Sequence, residues 1–413
     1  MGYIVTLAPI LYRKDFTLII HINLISHQLL PNVIGSFSNP DKEMKIILVL
    51  GDNKLKEKAV LLEDFYRKKG VTHIETINCQ TSTDHAKIFV RAEALFEQLR
   101  FEYPNAMIAV NATGGTKPMS IAFTQVFDKL TEKSMVFYTD TIEKQNTILT
   151  NPHQNKFPPL PYVSVLNVDD YLYLNQFNVN SEINKHCREH DNIIDRRPVT
   201  DFLLGLCKRE TNLISLLNGL AGQTNFSSNN KFKPVVERVP QFNSMVSCYQ
   251  HFERANLVTF NEAEATITFS SEEAARYIGG AWFEEFAYLA AFDSGIDYVS
   301  TSVDGHWLDK NNTESSVSNE LDLVLVHNNQ MMIVECKTSN WREAGKGQDV
   351  TLKLESLMRN LGGSHAKGIL LSVFELPEHT HDRVKNLNNL TPLSGGAIHG
   401  LVNQLKDWKS KVS

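Results

Sequence analysis

The sequence predicts an α/β protein in three parts: an N-terminal, mostly parallel sheet with helices on both faces, a helical middle, and a C-terminal α/β domain. Three observations predict this. From about residue 18 to 150, short β-rich runs alternate with longer amphipathic stretches, as repeated βα units do. Residues 151–161 hold four of the 14 prolines (152, 158, 159 and 161), which marks a linker. All four tryptophans (282, 307, 341 and 408) fall in the last third, a composition shift that sets it apart. The expected boundaries are therefore 1–150, a linker at 151–165, 166–275 and 276–413. A chain of 413 residues suggests two or three domains at roughly 150 residues each.

In the first part, Leu18–Ile25 reads as a strand and Pro31–Ser36 as a short helix. Lys45–Leu50 is a second strand, and Asn53 is placed to cap a helix over Lys54–Lys69 that stops at Gly70. His73–Ile77 is a third strand and Asp84–Arg100 a long helix. Ala106–Asn111 is a fourth strand, followed by the turn Ala112-Thr-Gly-Gly-Thr-Lys117 and a helix over Pro118–Leu130. Ser134–Tyr138 and Thr147–Thr150 close the block. In the middle, Val199–Lys208 and Asn212–Leu220 are the clearest helices. A helix over Ser244–Ala255 precedes two short strands, Leu257–Phe260 and Ala265–Phe269, a helix-then-hairpin order like that of a winged helix. Residues 185–254 carry ten Lys/Arg against seven Asp/Glu, which fits either a helical spacer or a nucleic-acid contact.

Composition excludes several classes. A 42% hydrophobic content is that of a globular protein. The apolar run Leu18–Ile25 carries polar breaks and falls far short of the roughly 20 residues of a bilayer span. The first sixteen residues lack a basic head and a small-residue cleavage site. Met1, Gly2 and Thr6 formally fit a myristoylation pattern too short to carry weight. Five cysteines form no CxxC pair and no Cys/His cluster, so the reading is of free thiols in a reducing cytosol, away from membranes. A net charge of −6 argues against a nucleic-acid coat protein but leaves room for a local basic cleft. Glu375-Leu-Pro-Glu-His-Thr-His381 reads as a polar surface loop rather than a metal tract.

The strongest chemical signal is Asn319–Val326, His327-Asn-Asn-Gln330 and Met331–Lys337. Two β-rich runs around an Asn-Asn pair read as a hairpin. With Asn328-Asn329 as the turn, Asp322 falls opposite Glu335, on the same face as Lys337. Two carboxylates so close repel unless a cation joins them. Two readings fit: a hard divalent metal, Mg²⁺ or Mn²⁺, with the Val334 carbonyl or the backbone beside Cys336 adding a ligand, or a plain cross-strand ion network, since Glu320 also falls opposite Lys337. The metal reading suits phosphodiester hydrolysis, with the lysine orienting water or stabilising charge on phosphate. In Gly279–Leu289, helical spacing puts Trp282, Phe286 and Leu289 on one face, with Glu285 at its margin and Glu284 turned toward solvent. Glu285 is therefore the expected third acid.

Asp322, the Glu335-Cys336-Lys337 run and an acid on the preceding helix resemble the PD-(D/E)xK nucleases of the restriction-endonuclease-like fold. The resemblance implies that Asp322 and Glu335 bind metal, that Lys337 assists attack, and that Glu285 completes the site. No proline precedes Asp322, a common departure in that family.

Asn111-Ala-Thr-Gly-Gly-Thr-Lys117 lies between a strand and a helix, where glycines let backbone N–H groups approach phosphate and the helix N-terminus adds its dipole. It is neither a Walker A nor a GxGxxG loop, and a tight turn that needs glycine accounts for it equally well. Together with Ile22–Gln28 and Pro31-Asn32, it resembles the ligand-facing loops of the CARF family, CRISPR-associated Rossmann-fold sensors of cyclic oligoadenylates that work as dimers. The resemblance implies ligand contacts at Asn111, Gly114, Gly115, Thr116, Lys117, Ser26 and Gln28, and a homodimer.

The domain order resembles that of the CARF nuclease effectors of type III CRISPR immunity, which implies a metal-dependent nuclease acting on DNA or RNA under cyclic oligoadenylate control. The competing expectation is a ligand-responsive DNA-binding regulator built on the middle segment, with the nuclease core as scaffold. It lacks a clear Arg/Lys/Asn recognition face on Ser244–Ala255.

Overall fold

The computed structural model describes residues 17–38, 43–128, 133–149, 160–225, 231–341, 346–362 and 366–413. The myristoylation-like start and residues 151–159 of the expected linker lie outside the described residues. Where the linker re-enters, Leu160 is buried and bridges to Asn146.

The first compact unit holds the described residues up to 166, with 170–177 and 308–315. Its elements are β1 (Leu18–Leu24), α1 (Leu30–Ser36), β2 (Glu43–Leu50), α2 (Lys56–Lys68), β3 (His73–Asn78), α3 (His85–Glu102), β4 (Met107–Asn111), α4 (Lys117–Phe127), β5 (Ser134–Asp140) and β6 (Gln145–Ile148). The sheet order is β3-β2-β1-β4-β5-β6, parallel except for the last strand. The expected parallel sheet is therefore present. β1 sits at its centre and is buried on both faces apart from its first residue, which is why it reads as one apolar run. The chain leaves β1 toward β2 on one side and β4 on the other, so the switch point of the sheet lies between the carboxyl ends of β1 and β4. One cap differs from expectation: Asp52 rather than Asn53 accepts the first amide, from Lys54, and a short 3₁₀ turn precedes α2. Asp84 caps α3.

The second unit runs over 167–169, 178–307 and 316–413. Along the chain come α5 (Val168–Leu174), most of which belongs to the first unit, and then β7 (Phe177–Ile183), α6 (Arg188–Arg209), α7 (Asn212–Gly222), β8 (Val235–Glu237), α8 (Asn243–Arg254), β9 (Val258–Asn261), β10 (Thr266–Phe269), α9 (Glu272–Arg276) and α10 (Trp282–Asp293). Next come β11 (Tyr298–Leu308), β12 (Glu314–His327), β13 (Gln330–Lys337), α11 (Lys346–Gly362), β14 (Lys367–Ser372), α12 (Glu378–Asn386), β15 (Leu390–Ser394) and α13 (Leu401–Val412). A sheet ordered β15-β14-β13-β12-β11-β7 forms the C-terminal α/β layer. α8, β9 and β10 reproduce the expected helix-then-hairpin order, with β8 added as a third strand beside β10.

Two expectations are corrected here. Among the described residues the middle segment shares its core with the C-terminal one: Leu203, Leu217, Tyr249 and Phe252 lie in one apolar cluster with Trp282, Phe283, Leu323, Ile369 and Leu405. Strand β7 of that segment is moreover an edge of the C-terminal sheet. Burial, which sequence does not show, joins the two segments. The His379/His381 stretch is helical rather than a loop, because Pro377 starts α12. Among the described residues, no helix is long and apolar enough to cross a membrane.

The turn from β4 to α4 depends on glycine. A Cβ at Gly114 would lie 2.0 Å from the Leu24 carbonyl oxygen, a backbone atom that cannot rotate away, and Gly115 holds a φ of +73°. Gly114→Ala is therefore expected to destabilise the N-terminal unit by about 2 kcal/mol or more. Urea unfolding followed by circular dichroism checks this, and an unchanged midpoint would refute the close approach.

Candidate active site

The β12–β13 hairpin has the expected register: Leu323 pairs with Val334 and His327 with Gln330, around the two-residue turn Asn328-Asn329. Both asparagines have positive φ, 47° and 59°, as a type I′ turn requires. The register carries Asp322 beside Glu335, and the Cys336 backbone N–H donates to Asp322 Oδ2 at 2.7 Å. Lys337 Nζ lies 2.6 Å from Glu335 Oε1 and 3.6 Å from Asp322 Oδ2, and donates to the Cys336 carbonyl at 3.0 Å. Three oxygens thus converge on one ammonium. Glu320, the other partner expected for Lys337, makes no ion pair with it.

The glutamate that joins this cluster is Glu284. Burial pushes its carboxyl up to about 8, helped by repulsion from Asp322 and Glu320, with Lys337 opposing. Burial, then repulsion from Glu335, raises Asp322 to about 6 against Lys337 and the Cys336 amide. Lys337 is held above its ordinary value: burial works against its charge, and Asp322 and Glu335 outweigh that cost.

Glu285, the expected third acid, turns the other way. Its carboxylate accepts from Arg196 of α6 at 2.6 and 3.3 Å, and burial still raises its pKa. The physical reason is that α10 is buried nearly all round, Glu285 included, so an apolar stripe cannot tell which side faces the carboxylates. The helix starts from a single π-type turn over Tyr277–Ala281 in which Gly280 has a φ of +150°. A Cβ there would meet Thr338 Oγ1 at 2.8 Å, so Gly280 lets this turn sit against the residue that follows Lys337. Asn218 of α7 fixes Thr338, donating to its carbonyl and hydroxyl at 3.1 and 3.3 Å. The Gly279-Gly280 pair ahead of two tandem glutamates was the available sequence signal for this packing. Arg196, Asn218 and Lys353, whose charge lowers the Asp322 pKa, had none.

A cleft of about 630 Å³ opens over these groups. Glu284, Glu320, Lys337, Thr338, Arg196 and Asn218 are among the residues that line it. The donor set fits a hard divalent cation: two carboxylates and a carbonyl already surround an ammonium, and the carboxylates exceed the cations nearby. Among the described residues, no three His, Cys, Asp or Glu side chains converge closely enough to hold a metal by themselves. The cradle uses two carboxylates and a backbone oxygen instead.

In the N-terminal unit, the predicted ligand residues divide. Asn111 is fully buried, donates to the Pro31 carbonyl at 2.9 Å and accepts from the Thr113 amide. Its polar atoms are spent inside the fold, and it positions the loop. Thr116 caps α4, accepting from Met119 N–H, and its hydroxyl donates to the Ser82 carbonyl. Ser26 donates to the Gln28 carbonyl at 3.1 Å. Gln28 and Lys117 are exposed, and Lys117 has no ion pair among the described residues. Ser26 and Gln28 follow β1, and Gly114, Gly115, Thr116 and Lys117 follow β4, the two strands that border the switch point.

Residues 20–171 match the family model for the Card1 CARF domain, and residues 271–412 match that for the Card1-like endonuclease domain. No curated protein matches the sequence. Among solved structures, protein VC1899 from Vibrio cholerae is similar over 96% of this chain and 99% of its own, with 20% identity and a TM-score of 0.81. Can2 from Sulfobacillus thermosulfidooxidans, solved with cyclic tetra-adenylate, covers 95% and 97% with 22% identity and a TM-score of 0.71. A type III CRISPR defence DNA nuclease activated by cyclic oligoadenylate covers 93% of this chain and 49% of its own, at 14% identity and a TM-score of 0.51. At these identities the structural likenesses show the fold. The two family models show the domains.

Burial of Glu284 has a pH consequence. Its folded value of about 8 exceeds the ordinary 4.5, so the folded state binds the extra proton. That stabilisation is complete below about pH 4.5 and is lost as pH rises through 8. Without divalent cations, Glu284→Gln is expected to flatten the loss of melting temperature between pH 5 and 9, and at pH 8 to gain at least ~1.4 kcal/mol, one pH unit's worth. Identical pH slopes in parent and variant would contradict this placement.

Proposed function

We propose that this chain, which belongs to the CARF-domain nucleases through its Card1 CARF domain and Card1-like endonuclease domain, is a metal-dependent endonuclease switched on by a cyclic oligoadenylate. The observation that carries the chemistry is the cradle of Asp322, Glu335 and the Cys336 carbonyl around the Lys337 ammonium. Asp322, Glu335 and that carbonyl would hold Mg²⁺ or Mn²⁺. Such a cation supplies a Lewis acid that polarises phosphate and makes water a better nucleophile.

The chain's own groups do the rest. The Cys336 N–H fixes the Asp322 carboxylate, so one of its lone pairs is already oriented. Lys337, charged at any working pH, holds the attacking oxygen beside Glu335 and offsets charge gathering on the phosphoryl oxygens. Glu284 stands where the role first expected of Glu285 would be filled, with its carboxyl pushed upward by burial and by repulsion from Asp322 and Glu320. The substrate is DNA or RNA, since these groups act on the phosphodiester and touch no base.

The activator site lies at the switch point of the N-terminal sheet. The α4 N-terminus offers backbone amides behind Gly114 and Gly115, Lys117 supplies a cation with no ion pair among the described residues, and Ser26 and Gln28 border the site from β1. A cyclic oligoadenylate presents several phosphates in a ring, and a homodimer would offer it two such sites. Can2 was solved with cyclic tetra-adenylate, which supports this ligand class. The complete Asp322, Glu335 and Lys337 set favours a nuclease over the regulator reading.

Cleavage of supercoiled plasmid, single-stranded DNA and RNA with Mg²⁺ or Mn²⁺, with and without cyclic oligoadenylates, tests the reading. Lys337→Ala is expected to lose cleavage by 100-fold or more (roughly 3 kcal/mol) and to keep ligand binding. Lys117→Ala is expected to weaken ligand binding about tenfold and to cleave once saturated. Parent-like cutting by Lys337→Ala would overturn the site.

A further inference from the structure

Arg196 stands on the wall of the nuclease cleft without a role in the cradle. It comes from α6, in the segment ahead of the endonuclease match, and lines both the 630 Å³ cleft and a smaller cavity of about 90 Å³ beside it. Its guanidinium is gripped from two sides. Glu285 holds it from within: this carboxylate is only 11% exposed and takes two of its N–H groups. Glu273 of α9 holds it from outside at 2.7 Å, with a side chain 69% exposed. The guanidinium also lies 5.2 Å from the centre of the Tyr277 ring, within cation–π reach.

The two grips differ in strength. A buried, doubly hydrogen-bonded pair is costly to break, whereas an exposed pair is worth about 0–1 kcal/mol. Glu273 is thus an exchangeable partner on a pre-oriented cation. Besides Arg196 and Lys337, the cation lining the cleft is the exposed Arg276, which no buried carboxylate orients among the described residues. Lys337 is committed to Glu335 and Asp322, and Glu320 adds negative charge. A nucleic-acid backbone entering this cleft needs a positive contact away from the cradle, and a guanidinium with one loosely held edge matches a phosphate in geometry and charge.

We propose that Arg196 binds a backbone phosphate of the nucleic-acid substrate and that Glu273 occupies the phosphate's place until substrate displaces it. Glu285 is then a positioning residue, holding the guanidinium toward the cleft. The inference rests on the nuclease reading above.

The test is steady-state cleavage of the oligonucleotide that the activated full-length protein cuts, with KM measured from 50 to 200 mM salt. Arg196→Gln alone strands the buried Glu285, so the informative variant is Arg196→Gln/Glu285→Gln, which removes both charges. It is expected to raise KM about tenfold, to keep kcat within about threefold, and to lower the salt slope by about 1, the signature of one lost phosphate contact. Glu273→Gln is expected to lower KM about threefold, as loss of an exposed ion pair would. Glu272→Gln, the same charge change one residue away, is expected to leave KM in place. Parent-like KM and salt slope in the double variant would overturn the proposal. So would an equal KM drop in Glu272→Gln and Glu273→Gln, which would mark a general charge effect. If the double variant does not fold, an unchanged KM in Glu273→Gln overturns it alone. A parent that cuts no nucleic acid refutes the nuclease reading itself, whereas a cutting parent with indifferent variants refutes only the role of Arg196.

Discussion

The C-terminal half of the molecule is organised around an electrostatic conflict. Asp322, Glu335 and Glu284 are brought together in a largely buried place with Lys337 as the near cation, and the carboxyls of Glu284 and Asp322 are pushed upward as a result. Burying like charges is among the most expensive things a fold can do. The conflict persists because the surrounding structure leaves these side chains nowhere else to go. A type I′ turn fixes the register of β12 and β13, so Asp322 and Glu335 cannot slip to the other face. The π-type turn ahead of α10, packed on Thr338 through Gly280, brings Glu284 to the same end of the hairpin. Such retained charge frustration is what a site that recruits a cation requires.

The segment between the proline-rich stretch and the endonuclease match serves the same end. Its helices share the apolar core of the C-terminal domain, and they supply the two polar groups that frame the cleft, Asn218 against Thr338 and Arg196 against Glu285. It is therefore part of the catalytic body rather than a spacer. In the N-terminal unit the corresponding constraint is the contact of Gly114 with the Leu24 carbonyl. It draws the loop after β4 onto the end of β1 and leaves Lys117 facing outward with no ion pair among the described residues.

Much of this was legible in the sequence because it rests on short-range rules. Alternation along β12 and β13, the Asn-Asn turn and the βα rhythm of residues 18–150 are local signals, and each appears where they placed it. What the sequence hid depends on burial from a second direction. Glu284 and Glu285 are adjacent on α10, and the choice between them turns on α6 packing against the far side of the helix. Asn111 reads as a ligand contact by its place beside the glycines, yet its amide is consumed by Pro31 and Thr113. A cap shifted from Asn53 to Asp52 shows the same limit at small scale, since both residue types cap helices well.

The central claim is that the oxygen cradle formed by Asp322 of β12 with Glu335 and Cys336 of β13 is a cation site. Titration of Mn²⁺ into the full-length protein, followed by the loss of the free-ion signal in electron paramagnetic resonance, tests it without reference to activity. The account predicts saturable binding in the parent that weakens tenfold or more in a Glu335→Gln variant, as removal of a metal-holding carboxylate should. Equal Mn²⁺ affinity in parent and variant would contradict it, and would leave the Asp322–Glu335–Lys337 cluster as a buried ion network and no more.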